Sequence, residues 1–207
     1  MDKDKIVKSL ISGLDIQNPE SYHALLMPGN QGPELPMLMR RGVPVSNIWA
    51  VEMVSSVYKE IMDKEKSLKL TSFPMELIQA VDDIWSRMTF PMNFVYLDLY
   101  GAPTAKLART LWKIFKLRLL SSSSVLVLTT GRTRTTSFSN LVNKNIIKGH
   151  QGRSIGEIYI RAACMFPYRI DDVSTMPYLS GQEKVKKMRY TTVVAKVEPW
   201  ISDKQNR

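Results

Sequence analysis

Apolar positions recur along the chain in two rhythms, short continuous runs and stripes at helical spacing. Ile6, Leu10, Ile11 and Leu14 share one helical face over residues 3–14, with Gly13 near the end, and predict a leading amphipathic helix. The apolar run 22–27 stops at Pro28-Gly29-Asn30-Gln31-Gly32, as a strand entering a turn does. Residues 33–41 then carry prolines in the first turn, arginines in the last and Gly42 just beyond, which predicts a short helix. The rhythm repeats with a strand over 48–51, a helix capped by Ser55 or Ser56, a weaker strand over 68–73, and a helix from Pro74 through Met88. The inward face of that last helix is expected to hold Leu77, Ile78, Val81, Ile84, Trp85 and Met88. A fourth strand over 94–97 ends at Asp98. Thr104 is placed to cap a helix over 105–120, and residues 125–128 make a fifth strand. Ser154-Ile155-Gly156-Glu157 matches a capping box ahead of a further helix, and two extended runs, 168–178 and 189–197, close the chain as an antiparallel pair.

Strands that alternate with helices imply an α/β architecture: a doubly wound, mostly parallel sheet covered on both faces, here ending in an antiparallel strand pair. Ligands of such sheets bind beyond the carboxyl ends of the strands, where the strand order reverses. The residues that matter are therefore those that follow each strand: 29–32, Glu52, Phe73, 98–103 and 129–136. The expectation is one domain over 1–207, with a cofactor-binding half (1–103) and a substrate-facing half (104–207).

Composition narrows the function. The 207 residues are 44% hydrophobic and 23% charged, which excludes a disordered, collagen-like or coiled-coil chain. No apolar run reaches the roughly 20 residues of a membrane span, and the charged start 1–5 is unlike a secretory signal, so an intracellular, cytoplasmic protein is expected. One cysteine, Cys164, and two distant histidines, His23 and His150, exclude a disulfide framework and a typical zinc site. Cys164 lies in an apolar run and reads as a structural thiol. The net charge of +10 is unevenly spread: residues 1–103 hold 10 basic and 13 acidic side chains, residues 104–207 hold 19 and 6. Positive charge concentrated in one half favours a polyanionic partner, most simply nucleic acid.

Gly29 and Gly32 allow close backbone approach to a ligand ahead of a helix. Glu52 follows Gly32 by 20 residues at the end of the second strand, where a carboxylate can accept both ribose hydroxyls. Together they point to an adenosine-containing cofactor. The loop lacks the G-x-G-x-x-G spacing of a nicotinamide enzyme. With a glycine loop after strand one, an acid after strand two and an acidic motif after strand four, the chain resembles the class I S-adenosylmethionine-dependent methyltransferases. The segment Asp98-Leu99-Tyr100-Gly101-Ala102-Pro103 is similar to the Asp-Pro-Phe-Gly-Ser-Pro motif of tRNA N2-guanine dimethyltransferases. That resemblance implies a nucleobase amine as acceptor and S-adenosylmethionine as cofactor. It places Gly29 and Gly32 at the methionine and ribose pocket, Glu52 on the ribose, Phe73 beside the adenine, and Asp98 with Tyr100 at the acceptor amine near the methyl group, with Asp98 also a cofactor-binding residue. The sequence departs from the family at three points: no carboxylate precedes the glycine loop, Phe73 stands where an acid is usual, and Leu99 replaces proline after Asp98. A Lys-Asp-Lys-Glu set, as ribose 2′-hydroxyl transfer requires, is not evident.

Three basic clusters follow the acceptor motif. Lys106, Arg109, Lys113 and Lys116 form a stripe on one helix; Arg132 and Arg134 lie in a hydroxyl-rich loop past strand five; Lys184, Lys186, Lys187 and Arg189 form the third. These favour a nucleic-acid substrate; charge alone does not separate RNA from DNA, and the resemblance carried by Asp98–Pro103 puts RNA ahead of DNA. The sequence leaves open a different class, a noncatalytic Rossmann-like module that binds nucleic acid or a protein partner within a larger assembly, and homo-oligomerisation is compatible with both.

Overall fold

The computed structural model describes residues 3–28, 33–54, 56–59, 71–99, 104–131, 155–165, 167–180 and 188–199. Their strands are β1 (Ala24–Leu26), β2 (Ile48–Val51), β3 (Thr71–Phe73), β4 (Met92–Asp98), β5 (Leu120–Gly131), β6 (Tyr168–Ser180) and β7 (Met188–Pro199). Their helices are α1 (Lys3–Ser12), α2 (Glu34–Arg40), α3 (Leu77–Arg87), α4 (Ala105–Lys116) and α5 (Ile155–Ala163). The strands form one seven-stranded sheet in the order β3-β2-β1-β4-β5-β7-β6. The first five run parallel, and β7 is antiparallel to both β5 and β6.

The sheet is covered on both faces because side chains alternate along each strand. Leu25, Val51, Val95, Leu97, Leu126 and Leu128 point to the face packed by α3, α4 and α5. Ala24, Leu26, Ala50, Phe94, Tyr96 and Val127 point to the face packed by α1 and α2. The near-continuous apolar runs of the central strands are a direct consequence of this double burial.

Two helix ends show how local chemistry sets the boundaries. After α2, the Gly42 N–H bonds to the Met39 carbonyl (2.9 Å) and the Val43 N–H to the Leu38 carbonyl (3.1 Å), with Gly42 at φ +87. Buried Leu38 and Val43 complete this Schellman motif. The same pattern ends α4: Arg118 N–H bonds to Phe115 and Leu119 N–H to Ile114, both at 3.1 Å, with Arg118 at φ 54. The sequence predicts this helix to Leu120, but it stops at Lys116 because Leu119 and Leu120 are drawn into the core as β5 begins. Arginine in the left-handed region carries no sequence signal, unlike Gly42. Thr104 caps α4 as expected, its hydroxyl accepting from the Leu107 N–H at 3.3 Å. Trp85, expected inward, is 52% exposed, and Ala80 takes its place among the buried positions of α3.

Tyr168 anchors the hairpin: its buried hydroxyl donates to the Leu120 carbonyl at 2.7 Å and its ring meets Phe115 edge-on. Tyr168→Phe leaves that carbonyl without its phenolic donor and is expected to cost about 1 kcal/mol or more in denaturant unfolding. An unchanged midpoint would show that water replaces the hydroxyl.

Burial also sets a pH window. It holds the His23 imidazole below its ordinary 6.5, so its contribution to stability is present above that value and is lost as pH falls below it. Burial pushes Cys164, against the opposing pull of Arg161, from 9.0 up to about 11, and raises Tyr168, Tyr159 and Tyr22 above 10.0. These neutral forms favour the folded state below pH 9.0, and their contribution is lost as pH rises through 9.0 to 11 and beyond. Urea unfolding across pH is expected to show a plateau between about pH 7 and 9 with losses on both sides. Stability that still rises between pH 9 and 11 would contradict this assignment.

Candidate active site

After β1 the chain builds β2 and β3 on one side and then returns to place β4 on the other, so the strand order reverses between β1 and β4. The carboxyl ends of these strands border the crevice where ligands of open α/β sheets bind. Ala50, Leu26 and Tyr96 form one row across β2, β1 and β4. Glu52 and Asp98 each lie two residues beyond that row and so stand at one level, on strands flanking β1. Two strand spacings separate their backbones, about 10 Å. Alternation places both side chains on the α1/α2 face, with Ala50 and Tyr96.

Both acids are partly exposed. The Glu52 N–H continues the sheet by bonding to the Phe73 carbonyl at 3.1 Å. Its Oε1 accepts from the Val54 N–H at 2.8 Å, which fixes the carboxylate over the turn. Asp98 is the partner of Thr129 in β5, and the Leu99 N–H bonds to the Thr129 carbonyl at 3.0 Å. Thr129 is buried and shares a 3.0 Å hydroxyl hydrogen bond with Thr192, which ties the level of Asp98 to β7.

On the opposite face a cavity of about 240 Å³ opens at the same edge. Met27, Met53, Met75 and Leu99, the residues one or two places beyond β1, β2, β3 and β4, line it together with Leu77 and Leu107. Thr104, Thr110, Thr130, Glu76 and Lys106 supply its polar groups. The sequence reading missed this wall; its only signal is the recurrence of a large unbranched or γ-branched apolar residue just after successive strands. Phe73 is elsewhere: its 3% exposed ring stacks on Trp49 at 5.8 Å, with the Arg87 guanidinium 5.6 Å from its centroid. Met75, two residues on, takes the wall position.

The basic stripe of α4 divides. Lys106 pairs with Glu76, and Lys113 pairs with Asp82 at 2.6 Å, so two of its cations are matched by carboxylates of α3 and its flank. Arg109, Trp112 and Lys116 remain on the exposed side. Cys164 is half-buried and its Sγ lies 3.5 Å from the Tyr168 carbonyl, an inert setting for a thiol at neutral pH. Glu34, which the sequence reading did not single out, is fully buried in the first turn of α2, where the helix N-terminus favours a carboxylate. Gly29, Gly32, Tyr100, Arg132, Arg134, Lys186 and Lys187 lie outside the described residues. Among the described residues, no group of three acids, histidines or cysteines is arranged to hold a metal, and no helix is long and apolar enough to cross a membrane.

No protein-family model matches the chain, and no curated protein matches it by sequence. Solved structures do match it. M. jannaschii TYW2 in complex with AdoMet is 13% identical, with a TM-score of 0.54 over 96% of this chain and 78% of that one. The Methanococcus jannaschii fibrillarin pre-rRNA processing protein is 15% identical, with a TM-score of 0.52 over 95% and 75%. A structure described for the conversion of a disulfide bond into a thioacetal group during echinomycin biosynthesis is 10% identical, with a TM-score of 0.55 over 98% and 83%. At these identities the likeness speaks for architecture alone. With its reversed strand order and its terminal antiparallel pair, the chain has the class I methyltransferase fold.

Proposed function

We propose that the protein is an S-adenosylmethionine-dependent methyltransferase whose substrate is nucleic acid, at a base amine of RNA. The observation that carries this reading is the strand-end geometry: two carboxylates level with each other across β1, and an apolar cavity on the opposite face of the same edge. That combination fits the cofactor. The cavity suits a flat, weakly polar ring, and a carboxylate has lone pairs enough for Glu52 to keep its Val54 bond while accepting from a ribose diol. Met75, Leu77 and Leu107 would enclose the adenine, a role the sequence suggested for Phe73. Gly29 and Gly32 are assigned to the loop under the ribose and methionine portions.

The sulfonium, when bound, supplies a methyl group with its leaving group already activated. The protein's part is alignment. Asp98 accepts one hydrogen bond from the acceptor amine and so turns the nitrogen lone pair toward the methyl carbon, and Tyr100 supports the base beside it. With the cofactor held by Glu52 and the cavity wall, and the amine held by Asp98, transfer of the methyl group would leave S-adenosylhomocysteine and release one amine proton to solvent. The charge of residues 104–207 favours a nucleic acid, and the resemblance of the Asp98–Pro103 motif favours RNA.

Calorimetric titration with S-adenosylmethionine and S-adenosylhomocysteine tests the reading. Saturable binding of both is expected, followed by transfer of labelled methyl to RNA. A folded protein that binds neither, while retaining affinity for RNA, would make it a noncatalytic nucleic-acid-binding module.

A further inference from the structure

Helix α4 carries four basic residues and no acid, and packing sorts them by direction. Lys106 and Lys113 turn to Glu76 and Asp82. Arg109, Trp112 and Lys116, spaced by three and four residues, line up on the side away from the core. Ala105 and Ala108 extend that exposed side toward the helix N-terminus and leave it low and open. Trp112 is 43% exposed, and the Lys116 ammonium sits 4.3 Å from its ring centroid. The N-terminal turns of the same helix place Thr104, Lys106, Leu107 and Thr110 in the wall of the cavity.

We propose that the outer face of α4 is a stacking platform for a single-stranded segment of the RNA substrate: a base stacks on Trp112, while Arg109 and Lys116 hold the flanking phosphates. The proposal rests on the nucleic-acid reading given above. Charge complementarity selects this occupant, since an indole flanked on each side by a cation, on a helix without acids, matches a chain of alternating bases and phosphates. Exposed cation–π contacts are weaker than base–indole stacking, so a base can displace the Lys116 ammonium toward a phosphate at a net gain. A 12-residue helix rises about 16 Å along its axis, enough for several nucleotides of a strand leading to the cavity edge. The paired lysines play a different part: their charge is matched by Glu76 and Asp82, while buried Leu107, Leu111, Ile114 and Phe115 seat the helix.

Fluorescence anisotropy with a labelled oligouridylate of about twelve nucleotides tests this. Trp112→Ala is expected to weaken binding by about ten-fold or more, and Trp112→Phe to retain most of the affinity. Arg109→Ala with Lys116→Ala should lower the slope of log affinity against log salt by about one to two. Trp85→Ala, which removes a still more exposed indole from α3, should leave affinity unchanged. Circular dichroism and thermal melting establish that each variant is folded. Wild-type affinity in Trp112→Ala, an equal loss in Trp85→Ala, or no oligonucleotide binding by the wild type would each overturn the platform. The cofactor titration is independent of it. Trp112-dependent RNA binding without cofactor binding would keep the platform and end the methyltransferase reading; cofactor binding with an indifferent Trp112 would do the reverse.

Discussion

Asp98→Ala is expected to lower the methyl-transfer rate by about 100-fold or more while leaving S-adenosylmethionine affinity within a few-fold of wild type. A 100-fold loss corresponds to about 2.7 kcal/mol of transition-state stabilisation, the scale on which misorientation of a nucleophile acts. The split between rate and affinity follows from geometry. Asp98 ends β4, held level by the Leu99–Thr129 and Thr129–Thr192 hydrogen bonds, so it is a rigid reference against which an acceptor amine can be oriented. Asp98→Asn keeps an acceptor oxygen but loses the charge, and is expected to recover part of the rate. Single-turnover transfer of labelled methyl to RNA, measured beside calorimetric affinity, reads both quantities. Parallel loss of affinity and rate would move Asp98 from the acceptor to the cofactor.

The second large effect is expected at Glu52, where Glu52→Ala should weaken cofactor binding by about 10- to 100-fold. Hydrogen bonds to a charged acceptor contribute about 1.5–3 kcal/mol, and removing the carboxylate forfeits those to the ribose. Loss of the 2.8 Å bond to the Val54 N–H also frees the turn that carries Met53 into the cavity wall. Glu52→Gln retains an oxygen for both partners and is expected to fall between wild type and alanine. The measurement is the same titration, run with S-adenosylhomocysteine to remove turnover. Equal affinity in wild type and Glu52→Ala would withdraw the ribose assignment and leave the apolar cavity as the sole basis for a cofactor site.

Much of this frame was legible in the sequence, for identifiable reasons. β2, β4, β6 and β7 were readable because their apolar or alternating runs match strand period and are bounded by turns. The ends of α2 and the start of α4 were readable because Gly42 and Thr104 perform their capping through their own chemistry. The end of α4 was not, since Arg118 takes a left-handed conformation that arginine does not advertise. Trp85 was misplaced because periodicity alone does not distinguish two neighbouring faces of a helix, and the small Ala80 faces the sheet instead.

By itself, the sequence determined the kind and order of elements, the sheet's parallel character and its antiparallel ending, the asymmetry of charge, and the acids at the ends of β2 and β4. These depend on local period, capping and composition, which neighbouring residues carry. Tertiary structure decided what distant residues share. The register across β1 brought Glu52 and Asp98 to one level, and residues following four strands became a single cavity wall. Packing of α3 against α4 matched Lys106 and Lys113 with carboxylates and left Arg109, Trp112 and Lys116 facing outward. The physical reason is range: a dihedral or a cap responds to its own few residues, whereas ion pairing and cavity shape depend on side chains that meet only after the sheet has formed.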